Sequence, residues 1–361
     1  MIGLVVNPVA GLGGAVGLKG TDGMVDEALA RGAVPRAGER AALAVAALPA
    51  DVPIATAAGA MGEEVVRAAG RAPALVVDGG DGSTTAEDTR RAAAALADAG
   101  CELILFAGGD GTARDVCAAI GDRTPALGIP AGVKIQSAAF AESPRRAGEL
   151  AGAWLTGRRR ERAAEVVDLD EDAVPSGRVG PRLYGTLRVP LGPGLVASAK
   201  SPSHDEDPAA VNGIAARMAE RIGDGTAILG PGTTVAAVGR DLGLDTTLVG
   251  VDLVRGGALV LRDASEQQLL EALGDAGATT VVTPIGGQGF VLGRGNQQIS
   301  PAVLRAAGIG RLTVVATPAK LAVLGGRPLI VDTGDDGTDA ELRGWHRLVT
   351  GYDEETIYRV E

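Results

Sequence analysis

Two cysteines, Cys101 and Cys117, and two histidines, His204 and His346, are all that this 361-residue chain holds of the side chains that build disulfide frameworks, zinc clusters and histidine triads. Two cysteines supply neither a disulfide framework nor a zinc cluster, and Cys117 reads as a small core residue on a helix. The chain has no Gly-x-Ser-x-Gly and no His-Glu-x-x-His, which removes two common hydrolase chemistries. Aromatics are 2% of the residues, so the core must be packed with alanine, valine and leucine. No apolar run reaches the roughly 18 residues of a membrane span. The opening Met1-Ile2-Gly3-Leu4-Val5-Val6-Asn7 lacks a basic leader and reads as a first strand. The formal net charge of −11 argues against nucleic acid and against an anionic membrane as partner. These absences lead to the expectation of a soluble, cytoplasmic protein.

Glycine is abundant at 55 residues, but it is scattered among apolar runs in a chain whose residues are 46% hydrophobic. That pattern fits many tight turns in a large core rather than disorder. Strand-like runs at Ile2 to Val6, Ala74 to Val77, Glu102 to Phe106 and Ala126 to Ile129 alternate with helical stretches, among them Thr85 to Ala99 with a capping-box start at Thr85 and Asp88. The alternation predicts a parallel sheet with right-handed crossovers. Further on, Val166 to Leu169 and Arg182 to Val189 read as strands, and Lys200 to Pro208 as a surface loop. Ala227 to Leu229, a helix to Leu242, a strand from Thr247 to Val254, a helix from Ser265 to Leu273, and strands at Thr279 to Val282, Arg311 to Ala316 and Pro328 to Val331 complete the pattern. The expected division is 1–142 as a three-layer parallel-sheet domain, 143–320 as a mixed α/β domain, and 321–361 packing back on the first, with the active site in the cleft between the domains.

The stretch richest in chemistry is Leu103-Ile104-Leu105-Phe106-Ala107-Gly108-Gly109-Asp110-Gly111-Thr112. A turn that follows a buried parallel strand and opens a helix sits where open α/β sheets bind ligands. Glycines there let main-chain N–H groups approach a phosphate, and the helix N-terminus adds partial positive charge. Asp110 is the expected general base, with Gly108, Gly109, Gly111 and Thr112 around the phosphates. Asp81, in Asp78-Gly79-Gly80-Asp81-Gly82-Ser83, is the competitor, but Asp78 adds a second carboxylate that repels phosphate. Asp332-Thr333-Gly334-Asp335-Asp336-Gly337-Thr338 reads as a solvated acidic turn.

Asn7-Pro8 leads into a second glycine-rich loop, Gly11-Leu12-Gly13-Gly14-Ala15-Val16-Gly17, which matches neither the dinucleotide fingerprint nor a P-loop. It is either a flexible turn or a second phosphate loop, with Lys19 as cation and Asp22 as carboxylate. Lysine occurs only at Lys19, Lys134, Lys200 and Lys320, so a lysine beside a glycine-rich turn is a candidate for phosphate contact, whereas Lys200 reads as a surface residue. Thr283-Pro284-Ile285-Gly286-Gly287-Gln288-Gly289 and the following Arg294-Gly295-Asn296-Gln297-Gln298 read as a ligand-facing region. Thr233 or Thr234, after Gly230-Pro231-Gly232, caps a helix or faces a ligand.

Together, Gly108 to Thr112 and Asn7-Pro8 with its glycine loop resemble the superfamily of NAD kinases, diacylglycerol kinases and phosphofructokinases. Gly17 to Gly23, Thr84 to Thr89 and Thr283 to Gln298 are similar to the ATP-NAD kinase branch called acetoin-catabolism protein X. The resemblance implies ATP with Mg²⁺ as donor, a hydroxyl as acceptor, and a homo-oligomer. It implies Asp110 as catalytic residue and Asn7, Gly11, Gly13, Gly14, Lys19, Gly108, Gly109, Gly111 and Thr112 around the nucleotide. On the acceptor side it implies Asp22, Lys134, Thr283, Gly286, Gly287, Gln288 and Asn296. The acceptor stays open between the NAD 2′-hydroxyl, which leads, and another small polyol or nucleoside-like compound. A nucleotide-sensing protein without turnover is the reading from a different class.

Overall fold

A computed structural model describes residues 1–18, 23–80, 84–133, 135–157, 159–169, 181–192, 207–274, 277–285 and 288–361. The chain divides into two compact units. The first holds Met1–Leu12, Gly20–Val25 and Val34–Ser198; the second holds Gly13–Lys19, Asp26–Ala33 and Ala199–Glu361.

In the first unit, β1 (Ile2–Val6) is followed in the chain by α1 (Val25–Ala30), most of which groups with the second unit, and then by α2 (Ala37–Ala47). β2 (Ile54–Ala57), α3 (Glu63–Ala68), β3 (Leu75–Val77), α4 (Ala86–Asp98), β4 (Leu103–Gly108), α5 (Asp110–Ile120) and β5 (Ala126–Pro130) continue the alternation. The five strands pair in parallel in the order β3-β2-β1-β4-β5. Ile2, Leu4, Val6, Leu103, Leu105, Leu127 and Ile129 face a core built with α2, α3 and α6 (Pro144–Thr156). The opposite face of β1 meets α4, where Leu96 lies beside Gly3 and Ile104. A strand covered on both faces has no polar face to alternate with, which is why Ile2 to Val6 and Leu103 to Phe106 read as unbroken apolar runs. Phe140 packs edge-on against Phe106, with ring centroids 5.2 Å apart.

β6 (Glu161–Leu169) and β7 (Pro181–Pro190) form an antiparallel hairpin that belongs to this unit, not to the second domain as the expected boundary at 142 had it. The reason is packing. α6 seats Ala147, Leu150, Ala151 and Trp154 in the first core, and Gly148 brings its backbone against Ala44 of α2.

The second unit begins with α7 (Pro208–Ile222), β8 (Thr226–Leu229), α8 (Thr233–Asp241), the hairpin of β9 (Asp252–Arg255) and β10 (Ala258–Leu261), and α9 (Glu266–Leu273). It continues with β11 (Thr279–Val282), β12 (Phe290–Leu292), α10 (Pro301–Ala307), β13 (Leu312–Val314), α11 (Pro318–Val323), β14 (Ile330–Val331), α12 (Asp336–Leu342), β15 (Gly344–Val349) and β16 (Glu355–Val360). The main sheet runs β10-β9-β8-β11-β13, with β8, β11 and β13 parallel and β9 and β10 antiparallel. One face packs Ala227, Leu229, Val254 and Val281 with α7 and α8; the other packs Ile228, Leu253, Val282 and Val314 with α9, α10 and α11.

Two further expectations are corrected here. The C-terminal 321–361 does not group with the first unit: Leu324, Leu329, Val331, Leu342, Leu348 and Val360 complete the second core, and Val349 and Val360 bridge to Val315 and Leu329. The strand expected from Thr247 starts only at Asp252, because the Asp252 carboxylate accepts from the Thr247 N–H and hydroxyl and from the Asp263 N–H, folding the chain before the strand. The two tryptophans contrast: Trp154 is 6% exposed in the first core, whereas Trp345 on β15 is 72% exposed. Among the described residues, no helix is long and apolar enough to cross a membrane.

Candidate active site

The strand order of the first unit reverses at β1. The chain proceeds from β1 to β2 and β3 on one side, then crosses back so that β4 lies on the other. In open α/β sheets such a reversal opens a crevice at the strand carboxyl ends. Asn7 follows β1, and Gly108 ends β4, with Gly109 and Asp110 leading into α5.

These residues are joined. The Asn7 main-chain N–H donates to Ala107 O at 2.9 Å, and its side-chain amide donates to Thr112 Oγ1 at 3.1 Å. Asn7 Oδ1 accepts from the Val9 N–H, which turns the chain toward the glycine loop. A Cβ on Gly108 would land inside the Thr112 side chain, so only glycine lets α5 start this tightly against β4. Gly109 is the N-cap of α5 and offers no side-chain acceptor, which leaves the first-turn N–H groups to another partner.

Asp110 is the first residue of α5 and 8% exposed. Its carboxylate accepts main-chain N–H bonds from Gln136 at 2.7 Å and Ser137 at 2.9 Å. Burial pushes its pKa up to about 6, against the Ser137 and Gln136 hydrogen bonds that favour the charged form, and the charge of Asp168 adds to the rise. Ser137 is itself fixed. Its hydroxyl donates to Val167 O at 2.9 Å and accepts from the Val167 N–H at 3.1 Å, tying the segment under Asp110 to β6. Asp168 pairs with Arg114 of α5 at 2.9 Å. A carboxyl group held near neutral pH can take or give a proton, and its neighbours are donors suited to anions.

Sequence reasoning named Asn7, Gly11, Gly108, Gly109, Asp110, Gly111 and Thr112, and all lie in the first unit. It missed Gln136 and Ser137, which act through main-chain donors that no side-chain pattern announces. The competing Asp81 lies outside the described residues, as do Lys19, Asp22, Lys134, Gly286, Gly287, Lys200 and His204. Asp78 follows the edge strand β3, with its side chain largely in solvent.

The other expected site residues belong to the second unit. Gly13 and Gly14 are buried, and Gly14 lies against the Gln297 side chain. The same loop accepts the Glu266 N–H at Ala15 O. It is a packed turn rather than a flexible one. Thr283 and Gln288 are buried at 3% and 7% exposure. The Asn296 amide donates to Val291 O at 2.9 Å and accepts from the Gly293 N–H at 3.0 Å, which braces its own loop. The Asp332 to Thr338 turn is corrected. Asp339 is buried and accepts from the Thr333 N–H and hydroxyl, while the Thr338 hydroxyl and N–H hold the Asp335 carboxyl down to about 2. That turn is a capped helix start, not a solvated loop. Cys117 is half-buried rather than core, its thiol 3.6 Å from Thr186 O.

The family comparison agrees with this geometry. The ATP-NAD kinase N-terminal domain model matches residues 2–159, and the ATP-NAD kinase C-terminal domain model matches residues 224–360. No curated protein and no solved structure matches the chain. With both domain models matched in order, and the glycine-aspartate turn at the strand reversal of the first, the chain belongs to the NAD kinase superfamily.

Proposed function

We propose that the protein is an ATP-dependent phosphotransferase whose acceptor is a hydroxyl, with the NAD 2′-hydroxyl as leading acceptor. The observation that carries the reading is Asp110, a carboxyl group with pKa about 6 at the strand reversal of the first sheet, beside the uncapped start of α5. Ionised, Asp110 takes the proton of the acceptor hydroxyl as its oxygen attacks the γ-phosphorus of ATP. One P–O bond forms to the acceptor, the bond to the β-phosphate oxygen breaks, and ADP leaves. The first-turn amides of α5, with Gly108, Gly109, Gly111, Thr112 and Asn7 around them, hold the phosphates. In this reading Mg²⁺ arrives on the ATP phosphates. The alternative acceptor is another small polyol or nucleoside-like compound.

Incubation with ATP, Mg²⁺ and NAD tests this. NADP and ADP forming in equal amounts supports the full reading. ADP without NADP, in the presence of a polyol or nucleoside that becomes phosphorylated, keeps the kinase and discards NAD. A second reading, nucleotide sensing without turnover, draws on the same carboxylate, both of whose oxygens already accept main-chain N–H bonds. Tight calorimetric binding of ATP with no phosphorylated product from any acceptor would select it.

A further inference from the structure

A closed ring of contacts passes through Asp110, and all of its members lie in the first unit. The Asp110 carboxylate accepts the Gln136 and Ser137 N–H groups, and the Ser137 hydroxyl bonds both ways with Val167 of β6. The next residue on that strand, Asp168, pairs with Arg114 at 2.9 Å. Arg114 in turn stands four residues after Asp110 on α5, one helical turn along, which closes the ring. β7 backs it: the Tyr184 ring centroid lies 5.5 Å from the Arg114 guanidinium carbon and 5.3 Å from that of Arg182.

The two halves of this ring pull Asp110 in opposite directions. A carboxylate that accepts two main-chain N–H bonds is well oriented but a poor base, because those donors favour its charged form. Asp168 opposes them. Its side chain is only 17% exposed, so water screens its charge weakly and it disfavours a second negative charge on Asp110. Arg114, paired with Asp168, moderates that repulsion. The other charges on the surrounding elements are Asp115 of α5, which Arg90 of α4 holds at 2.7 Å, Arg182 of β7, opposite Asp168 in the hairpin register, and Glu165 of β6. β4 carries none.

We propose that Arg114 and Asp168 are positioning residues for the reaction at Asp110: as one ion pair between α5 and β6 they hold the Gln136 and Ser137 amides against its carboxylate, and as two opposite charges they balance its affinity for the acceptor's proton. The use made of that proton rests on the phosphotransferase reading; the balance of charge does not.

The two ends of the pair supply the test, since a purely structural pair gives the same result whichever end is lost. The Asp110 carboxyl is followed through pH by carbon NMR of the full chain with labelled aspartate carboxyls, its signal identified by its absence from Asp110→Asn. Asp168→Asn keeps an oxygen for Arg114 but removes a negative charge, and moves the midpoint down from about 6 by about 1 pH unit. Arg114→Met removes the cation beside Asp168 and moves the midpoint up by a similar amount. The pH at which turnover of ATP and acceptor reaches half its plateau shifts the same way in each variant. Should Arg114→Met not fold, Arg114→Gln takes its place with the same expected direction. Midpoints not displaced to opposite sides of the wild-type value overturn the proposal, and so do opposed midpoints that the turnover profile fails to follow. Opposed midpoints with no turnover in any protein, wild type included, remove the kinase reading and keep the charge balance. Wild-type turnover with unopposed midpoints does the reverse.

Discussion

At the scale of single residues, Asp110 is held where its charge is costly. Its folded pKa of about 6 stands above the ordinary 3.8, so the folded protein binds a proton more tightly than the unfolded chain. The neutral carboxyl favours folding below the ordinary value, and that advantage is lost as pH rises through about 6, a difference of about 3 kcal/mol. Asp110→Asn has no such titration. Its urea-unfolding free energy relative to wild type is therefore expected to climb by about 3 kcal/mol between the two plateaus. In the kinase reading, wild-type turnover rises with pH to half its plateau near pH 6 and is flat above. Asp110→Asn still binds ATP by calorimetry but loses about 10²-fold or more in turnover. Near-normal turnover in that variant removes Asp110 as base. A methyl on Gly108 tests the turn separately: Gly108→Ala pushes Thr112 away from Asn7 and lowers stability by about 1–3 kcal/mol in denaturant titration.

At the scale of elements, what the sequence disclosed depends on whether an element's partner lies in the same segment. The α4 box is local: Thr85 Oγ1 accepts from the Asp88 N–H, and the Asp88 carboxylate accepts from the Thr85 N–H at 2.8 Å. It was legible from residues three apart. Thr85→Ala is expected to cost about 1 kcal/mol, measured by chemical denaturation. The acidic turn at Asp332 reads as a solvated loop because its buried acceptors, Asp339 among them, are recognisable only once α12 folds over Thr333. Thr247 was read into a strand for a similar reason, since its β-branched neighbourhood suits a strand and only Asp252 bends it away. β2 is only four residues long, and β15 and β16 carry polar, exposed positions, so none of the three stands out by periodicity. Asp110 itself was legible because strand, glycine turn and helix are contiguous. Its partners Gln136 and Ser137 come from a loop 26 and 27 residues on, through amides that every residue owns.

For the molecule as a whole, two α/β units are legible in the sequence, but the seam between them is not at the expected residue. A cut at 142 ignores the fact that α6 and the β6–β7 hairpin bury side chains against a helix and a sheet written much earlier. The second unit also takes in Gly13–Lys19 from the far end of the chain. Residues 199–361 expressed alone lack the Ala15 carbonyl for the Glu266 N–H and the backbone that lies against Gln297. That fragment is expected to unfold at lower urea than the same unit within the full chain, as followed by circular dichroism. Equal midpoints would mean that the early loop adds nothing to this core.

The contrast between the two tryptophans supplies a built-in pair of optical reporters, one for each half of the protein. The indole on α6, enclosed in hydrocarbon, emits towards the blue, and the one on the β15 surface emits as in water. Replacing Trp345 with phenylalanine silences the wet reporter at little structural risk. The remaining emission then follows the melting of the amino-terminal half by itself, and subtraction from wild type recovers the other half without cutting the chain.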